Sequence, residues 1–260
     1  MSGRLGWDAA TAAVLWRRDL VRFFRQPSRL VGALGQPLIF WLVIGTGMAA
    51  TFRMPGSPVG YLQFFYPGVV MMVVLFTAIF TTLSVIEDRH QGFLQMVLAG
   101  PGSRGAVVAG KSLGSASVAL SQAALFLLLS PLAGFAPGSV RWPLLLSALA
   151  LAAVGLAALG FFVAWLVDNV QGYHAIQMTL LVPAWVLSGA MFPPSPEHPV
   201  FAALMRWNPV AYAVSASRRA LAGPAAPGAL AGSAARDLLV LAVFAAAALL
   251  AATAVARRRA

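Results

Sequence analysis

The chain has 260 residues, of which 60% are apolar and 10% charged, and its mean hydropathy is +0.83. Its 18 basic residues outnumber seven acidic ones, giving a formal net charge of +11, and it contains no cysteine. This composition excludes an ordinary soluble domain, and the missing thiols exclude disulfides, thiolate metal sites and cysteine nucleophiles.

Residues 1–29 are basic and lack a short apolar core ending at a small-residue cleavage site, so they do not read as a cleavable leader. They read as one amphipathic helix. Ala9, Ala12, Ala13, Trp16, Leu20, Phe23 and Phe24 share a face, and Arg17, Arg18, Arg22 and Arg25 lie outside it. Such a helix lies flat on an anionic leaflet, so membrane lipid is an expected partner. This segment is set apart as an interface helix, and 30–260 as a transmembrane domain.

Within 30–260, six stretches carry no Asp, Glu, Lys or Arg: 30–52, 54–86, 112–140, 142–167, 169–196 and 238–256. A helix needs about 20 mostly apolar residues to cross the hydrocarbon core, so each stretch can cross once. Solid apolar blocks, rather than alternating ones, indicate helices and not a barrel. The expected fold is an all-α polytopic membrane protein with six transmembrane helices. Two further charge-free stretches are poor candidates: 207–217 is too short, and 220–235 is broken by Gly223, Pro224, Pro227 and Gly228. Phe40, Trp41, Phe64, Phe65, Tyr66, Trp142, Phe161, Phe162, Trp165 and Trp185 lie near span ends and read mostly as an interfacial aromatic belt, with a few of them candidates to line a pathway.

Basic residues set the orientation. Arg4, Arg17, Arg18, Arg22, Arg25 and Arg29 precede the first span, Arg89, Arg104 and Lys111 lie between the second and third, and Arg257, Arg258 and Arg259 follow the sixth. Arg53, Arg141, Arg206, Arg218, Arg219 and Arg236 fall on the other side. The short-loop excess marks the cytoplasmic face, so both termini are expected there.

Residues 105–112, GAVVAGKS, match the phosphate-cradling pattern G-x-x-x-x-G-K-[ST]. That loop works only between a strand and a helix in a polar α/β body, whereas here a membrane span follows it. The apolar run ending in acid at 161–168, FFVAWLVD, imitates a metal-holding strand but closes a span. Both matches are decoys by context.

The segment 87–111 is more informative. On a helical wheel Phe93, Leu94, Met96, Val97 and Leu98 gather on one arc while Asp88, Gln91 and Gln95 face away. Glu87 and Asp88 suit the N-terminal dipole, and Gly100-Pro101-Gly102 ends the helix. A short helix with an apolar face just outside the bilayer has to cover that face, either on its own chain or with a cytoplasmic partner. In the long connection 192–236, Asn208-Pro209 offers an N-cap followed by proline, and Gly223-Pro224 a stop. They frame a short helix over 210–221. With 200–205 it forms an outer pair that either is re-entrant, dipping partly into the leaflet and returning, or lies at the interface as two surface helices.

Two other classes lack the groups they need. An intramembrane enzyme requires a buried catalytic side chain, yet His90, His174 and His198 fall at loops or span ends, and Ser188 has no nearby base. An ion-coupled carrier places ionisable residues at membrane depth, and these spans carry none at their centres.

Glu87, Arg89, Gly92, Pro101, Arg104, Gly110 and Lys111 together resemble the membrane subunits of type 2 ABC transporters, mostly exporters. YLQFFYPGVVMM from Tyr61, LSGAMFPP from Leu187 and NPVAYAVSASRRALAG from Asn208 extend the resemblance in order along the chain. One departure is Gly102, in the stretch Pro101 to Arg104, where a bulkier residue is expected. The resemblance implies a permease subunit without a catalytic residue, metal or cofactor of its own, ATP and magnesium being held by a separate ATPase subunit. It implies a coupling helix that docks that ATPase through Glu87, Asp88, Arg89, Gly92, Phe93, Val97, Pro101, Arg104 and Lys111. It also implies an outer gate involving Pro193, Pro194, Asn208, Pro209 and Arg218, pairing with a second permease copy, and no nucleic-acid partner. The expected location is the inner or plasma membrane. The expected cargo is hydrophobic, lipid-linked, polysaccharide or drug-like.

Overall fold

The computed structural model describes residues 2–49, 59–194 and 199–258. The end of the expected first span, the start of the second, and the positions Arg53, Glu197, His198 and Arg259 lie outside them. Among the described residues there is no strand. The helices, in chain order, are α1 Ser2–Phe24, α2 Pro27–Gly47, α3 Tyr61–Phe80, α4 Ser84–His90, α5 Phe93–Leu98, α6 Arg104–Leu127, α7 Trp142–Leu166, α8 Val170–Val186, α9 Pro199–Trp207, α10 Pro209–Ala222 and α11 Ala234–Arg258.

Among the described residues, three continuous helical runs are long and apolar enough to cross a membrane: Tyr61–His90, which joins α3 to α4 through a 3-10 turn, together with Trp142–Leu166 and Ala234–Arg258. The other expected spans differ in physical character. α2 has 21 residues with Pro37 inside it, and its described apolar run is Leu34–Gly47. α6 begins eight residues before its charge-free stretch, because Ser103 caps it by accepting the Ala106 N–H at 3.2 Å. α8 has only 17 residues.

The helix α3 is the axis of the bundle, packed by α2, α6, α7, α8 and α10. Small residues allow the closest approaches. α11 lies along α7 where a side chain at Gly155 would come within 2.6 Å of the Phe244 ring and 3.2 Å of Ala245 Cα. The aromatic residues expected at the interface are largely inside: Trp41, Phe64, Phe65, Tyr66 and Trp185 are buried. Tyr66 stacks on Phe126 with centroids 5.5 Å apart, and Trp41 meets Tyr66 edge-on at 5.2 Å. Their polar tips are satisfied within the bundle, with Trp41 Nε1 donating to Leu62 O at 2.9 Å and Trp185 Nε1 to Gly68 O at 2.8 Å. Helix packing therefore consumes these rings, while Trp142 remains partly exposed.

The two short helices of the connection 192–236 form where the sequence places them. Asn208 caps α10 by accepting the Val210 N–H at 3.0 Å, Pro209 is its first residue, and Gly223, with φ +94°, ends it. α10 is buried along nearly its whole length, whereas α9 exposes Val200, Leu204 and Trp207.

Candidate functional site

At the end of the bundle that holds α1, α4 and α5, scarce acids meet abundant bases. α1 lies along α6, and the contact is shaped by glycines: a Cβ on Gly110 would meet Ala12 O at 2.7 Å, and one on Gly114 would meet Asp19 Cβ at 3.1 Å. The close approach lets Lys111 reach across. Its Nζ donates to Asp19 Oδ1 at 2.9 Å, Asp88 Oδ2 at 2.5 Å and Ser84 Oγ at 3.3 Å. Arg18 grips Asp88 with both terminal nitrogens, at 2.7 and 2.8 Å, and Arg22 binds Glu87 at 2.6 Å. Bidentate, charge-assisted bonds of this kind fix geometry as well as charge.

Lys111 and Asp88 are fully buried, so each depends on its partners to stay charged. Asp19 carries a pKa above the ordinary carboxyl value because burial disfavours its charge, although the nearby Lys111 ammonium opposes the shift. Its Oδ2 has no hydrogen-bond partner. The hydrogen bond to Asp88 raises the pKa of Arg18.

α4 is held from one further direction, and the start of α6 from another. Arg89 pairs with Asp168 at 2.9 Å and donates to the Ala164 and Trp165 carbonyls at the end of α7, both at 3.2 Å. Arg104 donates to Ala256 O at 2.7 Å, near the end of α11. A cation near those unsatisfied carbonyls also complements the helix dipoles.

The expected faces are rotated in the structure. Asp88 points inward instead of away with Gln91 and Gln95. On α5, Leu94 is buried, Phe93 and Val97 are half-buried, and Arg18 lies 3.8 Å over the Phe93 ring. Met96 is the outward apolar side chain, 71% exposed. α1 turns Leu15, Asp19 and Phe23 to the bundle and leaves Trp16 and Phe24 exposed, because the Asp19–Lys111 pair outweighs the apolar stripe in setting its rotation. Gly92, at φ +75°, makes the turn between α4 and α5, and Pro101 is exposed. Lys111 is an interior residue here, not a surface one. Asp19 and Asp168 escaped the sequence reading, although the rarity of acids in this chain was the available signal.

At the opposite end, Arg218 is buried without an acid. It donates to Gly228 O at 2.8 Å and Gly189 O at 2.7 Å, and sits 3.9 Å over the Phe64 ring. Arg219 and Ser215 hold Asp237 at 3.2 and 2.8 Å. Asn208 Nδ2 also donates to Ala184 O at 2.5 Å, tying α10 to α8, while Pro193 and Pro194 lie half-buried in the connection after α8. Between α2, α3 and α8 there is a cavity of about 470 Å³, with Met72, Phe76, Phe80 and Met178 among its walls. Gln36, Thr77 and His174 supply hydrogen-bonding groups, and no lining residue among those described is Asp, Glu, Lys or Arg.

The profile of the ABC-2 type transporter family matches residues 11–221, a range that takes in both ends of the bundle and the cavity. The chain belongs to that family. Nodulation protein J of Sinorhizobium fredii is 28% identical over 80% of this chain and 79% of its own length. The daunorubicin resistance ABC transporter permease protein DrrB1 of Streptomyces coeruleorubidus is 28% identical over 84% of this chain and 76% of its own. Nodulation protein J of Rhizobium leguminosarum bv. trifolii is 27% identical over 85% and 83%. The protein is thus a membrane transport subunit, a permease of the kind that assembles with an ATPase subunit into an ABC transporter.

In this permease GAVVAGKS serves helix packing. Gly110 admits α1, and Lys111 and Ser112 are buried within the bundle. The unexpected Gly102 has the same explanation, since a side chain there would collide with Thr11 of α1.

Proposed function

We propose that the permease forms half of an ATP-driven export pathway and receives the motion of a separate ATPase through residues 87–104. The observation that carries this reading is the fastening of α4 to α1, α6 and α7 by ion pairs and carbonyl bonds, with Arg18 of α1 also lying over Phe93 of α5. A force applied at α5 reaches α1 through Phe93 and, through the turn at Gly92 and α4, the helices α6 and α7; Arg104 at the start of α6 carries the connection on to the end of α11. In the proposed division of labour Met96, Phe93, Val97 and Pro101 offer the docking surface. Glu87, Asp88, Arg89, Arg104 and Lys111 make it rigid, and Gly92 sets the turn.

The full proposal has six spans, with α2, α6 and α8 joining the three long apolar runs, both termini in the cytoplasm of an inner or plasma membrane, and a second permease copy completing the pathway. The uncharged cavity fits an apolar or amphipathic cargo with a few hydrogen-bonding groups, in line with the usual makeup of ligand sites. The outer pair α9–α10, with Asn208, Pro209 and Arg218 holding it and Pro193 and Pro194 leading into it, acts as the outer gate. ATP and magnesium stay on the partner.

The test is capture of the ATPase subunit on tagged permease. Met96→Asp places a charge in an apolar contact and should abolish capture while the variant still inserts in the membrane, since Met96 packs on nothing inside. Normal capture and transport by Met96→Asp would remove α5 from the mechanism.

A further inference from the structure

The four arginines between residues 17 and 25, at the end of α1 and just past it, fall into two sets. Arg18 and Arg22 are engaged with Asp88 and Glu87. The side chains of Arg17 and Arg25 make no ion pair or hydrogen bond among the described residues, and both residues are exposed. They lie about two turns apart, roughly 12 Å along the axis. With Val14, Val21 and Gln26 they border a shallow depression of about 680 Å³ whose remaining wall is Arg18 and Arg22.

Apolar side chains interleave with these charges: Val14 is 63% exposed, Val21 40% and Phe24 46%. A free anion would gain nothing from them. The helix also leads through Gln26 into α2, whose charge-free stretch begins at residue 30, so the depression lies at the boundary where a bilayer starts. Guanidinium groups paired with exposed apolar surface at that depth suit a ligand with an anionic head and a hydrocarbon tail. We propose that this depression binds an anionic phospholipid, Arg17 and Arg25 taking the phosphate oxygens and Val14, Val21 and Phe24 the start of the acyl chains. The same helix then has two jobs on two faces: one fastens α4 to α6, and the other anchors that assembly to the lipid headgroup layer. The inference rests on the chain's being a membrane permease and not on ATPase docking.

The test titrates full-length permease, purified in a neutral detergent, with short-chain phosphatidylglycerol, phosphatidylcholine or inorganic phosphate, and follows the thermal unfolding midpoint, which a bound ligand raises. Phosphatidylglycerol should raise it saturably and phosphatidylcholine should not. At about 1 kcal/mol per arginine near an anionic surface, Arg17→Gln/Arg25→Gln should weaken phosphatidylglycerol binding about thirty-fold, while Arg17→Lys/Arg25→Lys keeps most of it. Both variants should match wild type without lipid, because neither arginine is engaged in the fold. Equal phosphatidylglycerol affinity in wild type and the glutamine variant overturns the site. Inorganic phosphate binding as tightly as the lipid overturns the acyl contact and makes the ligand a free phosphate. Unchanged lipid binding with loss of ATPase capture in the glutamine variant assigns the stripe to the partner protein instead.

Discussion

Lys111→Met tests the buried cluster, because it removes one charge while nearly preserving the length of the side chain. In the wild type the ammonium serves Asp88 at 2.5 Å and Asp19 at 2.9 Å. After the substitution Asp88 keeps both bonds to Arg18, so only Asp19 is orphaned. Its least costly remedy is to take up a proton. At pH 7 that costs at most about 4 kcal/mol for a carboxyl with an ordinary pKa near 3.9, and at pH 5 about 1.5 kcal/mol. Burial already raises the pKa of Asp19, so the true penalty lies below those ceilings. The direction of the pH effect follows from the same shift. A carboxyl whose folded pKa exceeds its unfolded one favours the fold in acid, and that contribution is lost as pH rises through the folded pKa. Thermal unfolding of the purified permease should therefore show a larger loss for Lys111→Met at pH 7 than at pH 5. Adding Asp19→Asn should recover most of the loss at pH 7. An equal penalty at both pH values, or no recovery in the double variant, would refute the reasoning.

Gly110→Ala should lower the unfolding midpoint, because its methyl group would lie 2.7 Å from Ala12 O and 2.9 Å from Ala12 Cα, both backbone atoms that cannot yield cheaply. Gly105→Ala, whose Cβ meets nothing closer than 3.7 Å, should leave the midpoint within about a degree, the usual scale for a change away from packed features. The chain has no cysteine, so single-cysteine variants report topology directly. An impermeant maleimide should label Trp207→Cys only from outside the cell and Met96→Cys only after the membrane is opened; labelling of both from one side would refute the proposed orientation.

The chain disclosed its architecture unevenly, and for physical reasons. Apolar blocks and helix punctuation are local properties, so α7, α10 and α11 could be placed closely from the sequence, down to Asn208 as a cap and Gly223 as a stop. Which face of a helix turns inward is decided by tertiary partners. The apolar stripe of α1 suggested one rotation, but a single buried pair, Asp19 with Lys111, imposes another. Asp88, expected outside, is inside because three cations, Arg18, Arg22 and Lys111, converge on it. Trp41, Tyr66 and Trp185 read as a belt because they stand near span ends. Their polar tips find carbonyls on neighbouring helices, a match that periodicity alone does not reveal. The helical segment after Glu87 was legible as a segment, while its outward side chain, Met96, became evident only once Phe93 was seen beneath Arg18.

The account's central claim, that a separate ATPase drives this permease through α5, is tested most directly by cross-linking in the assembled transporter. Met96→Cys, treated with a maleimide-to-amine cross-linker in native membranes, should give an adduct of the permease with the ATPase subunit. Trp207→Cys, 89% exposed at the wild-type side chain but at the other end of the bundle, should give none. An ATPase adduct from Trp207→Cys with none from Met96→Cys would contradict the claim.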